Sequence, residues 1–153
     1  MSMQTYIIYG YGFDVHVADK VLVDFIKSRE NIVRSLNRGP EILDWIAKKD
    51  KENGVYDAIT EDFFDYENEI NGDEGLYGII SDIMAKETGI MFEYRRGSEY
   101  DDDMIAFPEC YPWQLNDKER SLTQEEATEI LSKYMKELQI AGEPNYVQVE
   151  YLG

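Results

Sequence analysis

The chain contains one cysteine, one histidine and four prolines in 153 residues. A single cysteine, Cys110, forms no internal disulfide, which is typical of a reducing compartment, and we expect a cytoplasmic location. A zinc site built on two histidines is excluded because His16 stands alone. No apolar run approaches the roughly 18 residues of a membrane-spanning helix. The N-terminus lacks both a basic stretch and a long apolar core, so we expect no signal peptide.

Basic side chains are scarce as well. The chain has 15 Lys and Arg against 32 Asp and Glu, which gives a formal net charge of −17. Residues 1–55 are balanced, with eight acids and eight bases, whereas residues 56–110 carry sixteen acids and three bases. Such a charge repels nucleic acids and anionic membranes, so we expect neither as a direct partner.

The remaining composition is that of a globular protein. Hydrophobic residues make up 43% of the chain, and a domain of this size buries roughly 68–70% of the surface of its unfolded chain. Length, the absence of a linker and the absence of internal repeats predict one domain over residues 1–153.

Hydrophobic periodicity predicts an α+β fold, with a small and mostly antiparallel sheet of about four strands packed with about five helices. Residues 4–9 read as a strand that is followed by a glycine-containing loop, GYGFD. Alternating apolar residues predict a hairpin near 90–108 and a closing strand over 145–152. The helices are predicted from their apolar stripes, caps and glycine or proline stops to lie near 19–36, 40–52, 60–70, 73–87 and 124–138.

No motif identifies a catalytic site, so we expect neither an enzyme nor a cofactor. Gly10 and Gly12 stand between a strand and a helix, but the third glycine of a dinucleotide-binding loop is missing. Residues 67–78 match part of a calcium-binding EF-hand loop, yet Gly78 stands where a bidentate glutamate is needed, so no metal site is expected. Nothing in the sequence relates His16 to Cys110.

The aromatic residues divide into two groups. Those at core-phase positions are predicted to be buried: Phe25, Trp45, Tyr94, Tyr134, Tyr146 and Tyr151. Others lie in or beside acidic and polar stretches: Tyr66, Tyr100, Tyr111 and Trp113. Tyrosine and tryptophan are favoured as interface anchors, and packing beneath loops is the alternative for these four.

The strongest functional signal is the clustering of carboxylates in the middle of the chain. The predicted helix over 60–70 places Glu61, Asp65 and Glu69 on one face, and side chains so spaced can imitate a row of phosphates. We therefore predict a basic protein as partner, bound through these residues: Glu61, Asp62, Asp65, Glu67, Glu69, Asp73, Glu74, Asp101, Asp102 and Asp103. The basic cleft of a nucleic-acid-binding protein or nuclease suits such a surface.

In composition the chain resembles phage-encoded DNA mimics, including some anti-CRISPR proteins, and immunity proteins of nuclease toxins. The resemblance implies an anti-defence or immunity function, but no motif assigns the chain to either group. Two alternatives remain open at this stage. The charge could serve solubility alone, or a small-ligand or enzymatic site could lie near the Gly10–Gly12 loop.

Overall fold

The computed structural model describes residues 5–52, 75–95, 103–108 and 114–152. Within these ranges the chain has the predicted α+β fold, with a four-stranded antiparallel sheet and six helices. In chain order the elements are β1 (Thr5–Asp14), α1 (Asp19–Lys27), α2 (Glu30–Arg34), α3 (Gly39–Glu52), α4 (Gly75–Thr88), β2 (Glu93–Arg95), β3 (Met104–Pro108), α5 (Asp117–Arg120), α6 (Gln124–Glu137) and β4 (Asn145–Leu152). None of the helices in these ranges is long and apolar enough to cross a membrane.

The sheet has the strand order β2-β3-β1-β4, and every neighbouring pair is antiparallel. The predicted hairpin is confirmed as the pair β2–β3. The terminal strands β1 and β4 also pair with each other, from Thr5 opposite Leu152 to Gly12 opposite Asn145. Because β1 pairs with β3 on its other side, it is a central strand of the sheet.

The prediction that GYGFD forms a loop is wrong, since these residues continue β1 as far as Asp14. The two glycines are needed because the neighbouring strand approaches closely. A Cβ on Gly12 would lie 2.1 Å from the carbonyl oxygen of Ile105, and one on Gly10 would lie 2.6 Å from the Cβ of Ala106. Glycine here indicates close backbone approach rather than the end of a strand.

The predicted helix over 19–36 is two helices, α1 and α2, which are separated at Ser28 and Arg29. The Ser28 hydroxyl donates to the carbonyl oxygen of Phe25 at 2.9 Å, so a side chain competes with the helical backbone bonds. Arg29 leaves helical geometry, with φ −124° and ψ 40°. Asp19 is the first helical residue instead of the cap, a position that Ala18 takes.

Other helix predictions are confirmed. Pro40 lies in the first turn of α3, and Gly89 ends α4 with φ +71°, a conformation that favours glycine. The capping box of α6 is formed by Thr123 and Glu126. The helix predicted over 60–70 and the cap predicted at Asp73 lie outside the described residues.

The core lies between one face of the sheet and the helices. It is dominated by branched aliphatic residues of α1, α4 and α6, and its fully buried members include Ile26, Ile79, Ile80, Ile83, Ile105 and Leu131. The predicted alternation of burial near the first hairpin strand is confirmed, because Ile90, Phe92 and Tyr94 are buried. The strand itself is shorter than predicted, since β2 begins at Glu93.

The short helix α5, which the sequence pattern does not predict, is held by a buried carboxylate. Glu119 of α5 is only 7% exposed. Its carboxylate accepts the backbone N–H of Met91 at 2.6 Å and that of Asn116 at 2.8 Å. The Asn116 side chain in turn accepts the backbone N–H of Glu119, which completes a capping box. Glu119 thereby connects α5 to the chain that leads into β2.

Candidate functional site

Of the ten carboxylates predicted to bind a partner, the structure describes Asp103. The other nine lie outside the described residues, in the acidic segments 53–74 and 96–102. Together the segments outside the described ranges contain twelve of the acidic side chains and a single basic one, Arg96. The described part can therefore show where these segments join the fold, and their function stays a prediction.

Two tyrosines and Asp103 bring the ends of the acidic segments together. Tyr77 lies in the first turn of α4, just after segment 53–74, and Tyr94 lies in β2, just before segment 96–102. Their rings pack edge to face with centroids 6.0 Å apart. The Tyr94 hydroxyl donates to Oδ2 of Asp103 at 2.7 Å, where segment 96–102 rejoins the chain.

The same end of the sheet is fixed by backbone contacts. The N–H of Val15 donates to the carbonyl oxygen of Asp103 at 2.8 Å, and the Tyr77 hydroxyl lies 3.2 Å from the N–H of Val17, which donates to it. Asp14, an exposed carboxylate, is paired with Met104 across the sheet. The C-terminal end of β1 therefore lies next to the places where each acidic segment rejoins the described chain. We call this end, defined by Asp14, Tyr77, Tyr94 and Asp103, the acidic junction.

The predictions for the aromatic residues have mixed outcomes. Phe25, Tyr94 and Tyr134 are buried as predicted, and Trp45 is half-buried. The prediction for Tyr146 is wrong, because its side chain is 70% exposed. The four candidate interface aromatics, like the side chain of Tyr151, lie outside the described part.

The exposed Tyr146 belongs to a row of aromatic residues across the sheet. Tyr11 of β1 is paired directly with Phe107 of β3 on one side and with Tyr146 of β4 on the other. Directly paired residues of antiparallel strands point to the same face. The rings of Tyr11 and Tyr146 pack edge to face, with centroids 5.2 Å apart. In the next row towards the core, Phe13 and Ile105 are fully covered.

A cavity of about 510 Å³ lies over this aromatic row. Its other walls come from the chain before α6 and from the first turns of that helix: Leu115, Leu122, Thr123, Gln124 and Ala127, with Gly10 and Pro108 beside the row. None of these described lining residues is charged. In the sequence, Gly10 is the one signal for this cavity, since its walls come from chain positions more than 100 residues apart.

Tyr11, which lines the cavity, belongs to a short chain of hydrogen bonds with Thr128 and Gln124. The Thr128 hydroxyl donates to the carbonyl oxygen of Gln124 at 2.8 Å. Its oxygen lies 2.5 Å from that of Tyr11. Since the single Thr128 proton is engaged with Gln124, the Tyr11 hydroxyl donates to Thr128. The phenolic oxygen of Tyr11 therefore retains its capacity to accept a hydrogen bond.

A second polar cluster connects three helices. Both terminal nitrogens of Arg29 donate to the carboxylate of Glu137 at 2.6 Å, and its Nε donates to Glu87 at 2.9 Å. The guanidinium also lies 4.0 Å from the ring centre of Phe25. Burial alone would lower the pKa of Arg29, but the two carboxylates raise it above its ordinary value. This cluster uses its charges internally and is structural.

Tyr134 adjoins this cluster through Glu87, to which its hydroxyl donates at 3.0 Å. Burial, together with this hydrogen bond and the negative charge of Glu87, raises the pKa of the Tyr134 phenol. The group is therefore neutral and serves as a donor at physiological pH.

The described residues contain no group of three or more His, Cys, Asp or Glu that could hold a metal ion. Compared with known proteins, the chain matches no family model, no curated protein and no solved structure.

Proposed function

We propose that this protein is an acidic inhibitor or interaction protein that binds a basic, nucleic-acid-binding partner in the place of DNA. The observation that carries the proposal is the acidic junction. Contacts between Tyr77, Tyr94 and Asp103 hold the joins of two acidic segments at one end of the sheet. Because both segments join the fold at this junction, we expect their carboxylates to form one contiguous acidic surface and not to be dispersed.

The distribution of basic side chains also supports the proposal. The arginines of the described scaffold are largely neutralised within the fold, with carboxylates within 3.4 Å of Arg29, Arg34, Arg95 and Arg120. The acidic segments contain eleven carboxylates and only Arg96 as a base, so their own side chains give them a formal charge of −10. A field of one sign steers a partner of opposite sign and speeds association.

The role of Asp103 differs from that of the other nine carboxylates. It is half-buried, and one of its oxygens accepts the Tyr94 hydroxyl. We therefore assign it to holding the junction as well as contributing charge. Partner contact falls chiefly to the carboxylates of the two segments, such as Glu61, Glu69 and Asp102.

The test begins with capture. The immobilised chain is exposed at low salt to a nuclease-treated lysate of its native host, and bound protein is eluted with duplex DNA. We expect a basic nucleic-acid-binding protein to elute. Retention of no specific protein at low salt, where charge attraction is strongest, would refute the proposal.

The second step separates a specific surface from net charge. The variant E61K/E69K/D102K changes the acidic segments, while D44K/E129K/E143K makes the same charge change at exposed scaffold positions. We expect the first variant to lose the captured partner and the second to retain it. Equal binding by both variants, or equal loss, would contradict a surface located on the acidic segments.

A further inference from the structure

We propose that the cavity over the aromatic row binds a small, neutral, planar aromatic molecule that carries a hydrogen-bond donor. The described lining of this cavity shares no residue with the acidic junction, and the proposal does not depend on the function proposed above. Its volume of about 510 Å³ falls within the range of about 300–1,000 Å³ that is typical of small-molecule sites.

The shape of the ligand follows from the floor of the cavity. Phe107, Tyr11 and Tyr146 stand side by side on three adjacent strands. Aromatic rings arranged in this way offer faces and edges to another flat ring at favourable offset or edge-to-face geometry. Tyr146 is 70% exposed although it packs on Tyr11, and a ligand in the cavity would cover it.

The charge of the ligand follows from the walls. The described lining has no charged side chain, so an ionic group transferred from water would find no counter-charge on the described walls. An anion is disfavoured further by the net charge of −17. A cation is attracted more strongly to the carboxylates of the acidic segments than to the described walls of the cavity. These walls therefore favour a neutral ligand.

The hydrogen-bonding group follows from the order of the hydroxyls. Tyr11 donates its proton to Thr128, whose own proton goes to Gln124. The phenolic oxygen of Tyr11, a lining residue of this cavity, is thus an acceptor. A ligand N–H or O–H matches it, as in an indole, a phenol or an arylamine.

The test uses two probes with one aromatic framework. N-phenyl-1-naphthylamine is neutral and has one N–H group, whereas 8-anilino-1-naphthalenesulfonate adds a sulfonate to the same rings. We expect the full chain to bind the neutral probe saturably, at one per chain, with a blue-shifted fluorescence. The sulfonate should bind at least tenfold more weakly. Absence of saturable binding, or equal or tighter binding of the sulfonate, would overturn the proposal.

Variants locate the site. Ala127→Leu fills the cavity and should weaken the neutral probe at least tenfold, whereas Ala141→Leu makes the same change at an exposed position and should leave binding unaltered. Equal effects of the two would place the probe elsewhere. Tyr11→Phe adds no volume and keeps the ring, so it tests the acceptor even if Ala127→Leu fails to fold. It should weaken binding about two- to tenfold, and unchanged affinity would refute the assigned hydrogen bond.

Discussion

Glu119 allows the sharpest test of how the hairpin is held, because its carboxylate is buried and both of its backbone partners are identified. Glu119→Ala leaves the N–H groups of Met91 and Asn116 without the acceptor that lies 2.6 and 2.8 Å away. A hydrogen bond to a charged group contributes about 1.5–3 kcal/mol. Since the two bonds share one carboxylate and are only partly buried, we expect a loss of about 2–4 kcal/mol in the free energy of unfolding.

Urea unfolding, followed by circular dichroism, measures this loss. With a denaturant slope of about 2 kcal/mol per molar, the midpoint should fall by about 1–2 M. Asp117→Ala is the matched control, since this carboxylate lies two residues away and is fully exposed, and it should change stability by less than about 0.5 kcal/mol. Glu119→Gln, which keeps one acceptor oxygen, should fall between the two. If Glu119→Ala were no more destabilising than Asp117→Ala, the structural role of this carboxylate would be wrong.

Three further perturbations test other contacts. Because burial raises the pKa of Tyr134 in the folded state, this group's contribution to stability is complete below about pH 10 and declines as the pH rises further. Tyr134→Phe should therefore reduce the loss of stability between about pH 8 and pH 11 in urea unfolding. Arg29→Met should destabilise the fold by about 1–2 kcal/mol, and a double-mutant cycle with Glu137→Ala should show coupling. Gly12→Ala should cost about 3 kcal/mol or more in thermal unfolding, because its Cβ would meet the carbonyl oxygen of Ile105 at 2.1 Å.

Each of these has a result that contradicts it. Identical alkaline profiles of wild type and Tyr134→Phe would show that another group controls the decline. Additive effects of the Arg29 and Glu137 changes would mean that their 2.6 Å contact contributes no coupling. Gly142→Ala is the control for the glycine change, since it has a positive φ but open space around it. If both substitutions reduced stability equally, the close approach of the neighbouring strand would not explain the effect at Gly12.

Local patterns were sufficient to predict the fold class. Ile90, Phe92 and Tyr94 alternate as a half-buried strand requires, and all three are buried. The signals at helix ends are also local, because a capping box spans four residues and Gly89 needs only its own φ of +71°. These elements were predictable since their determinants lie within a few residues of each other.

Features that depend on distant partners were not predictable. From the sequence alone, Gly10 and Gly12 indicate a loop. They are required because residues 105–107 of the neighbouring strand approach them closely, and these residues are almost 100 positions away in the chain. The ion pairs of Arg29 join it to Glu87 and Glu137, which belong to other helices. Tyr146 has the right phase for a core position, yet the core ends one row before it, at Phe13 and Ile105.

The two proposed sites depend on opposite properties of one scaffold. At the acidic junction, Tyr94 and Asp103 lie at the ends of segments that contain eleven carboxylates and one base, Arg96. At the cavity, by contrast, Tyr11 stands among described neighbours without charge. A chain selected only for solubility has no need to separate charge in this way, because a dispersed net charge would serve equally well. The separation therefore favours an interaction through the acidic segments and leaves the cavity to a neutral ligand.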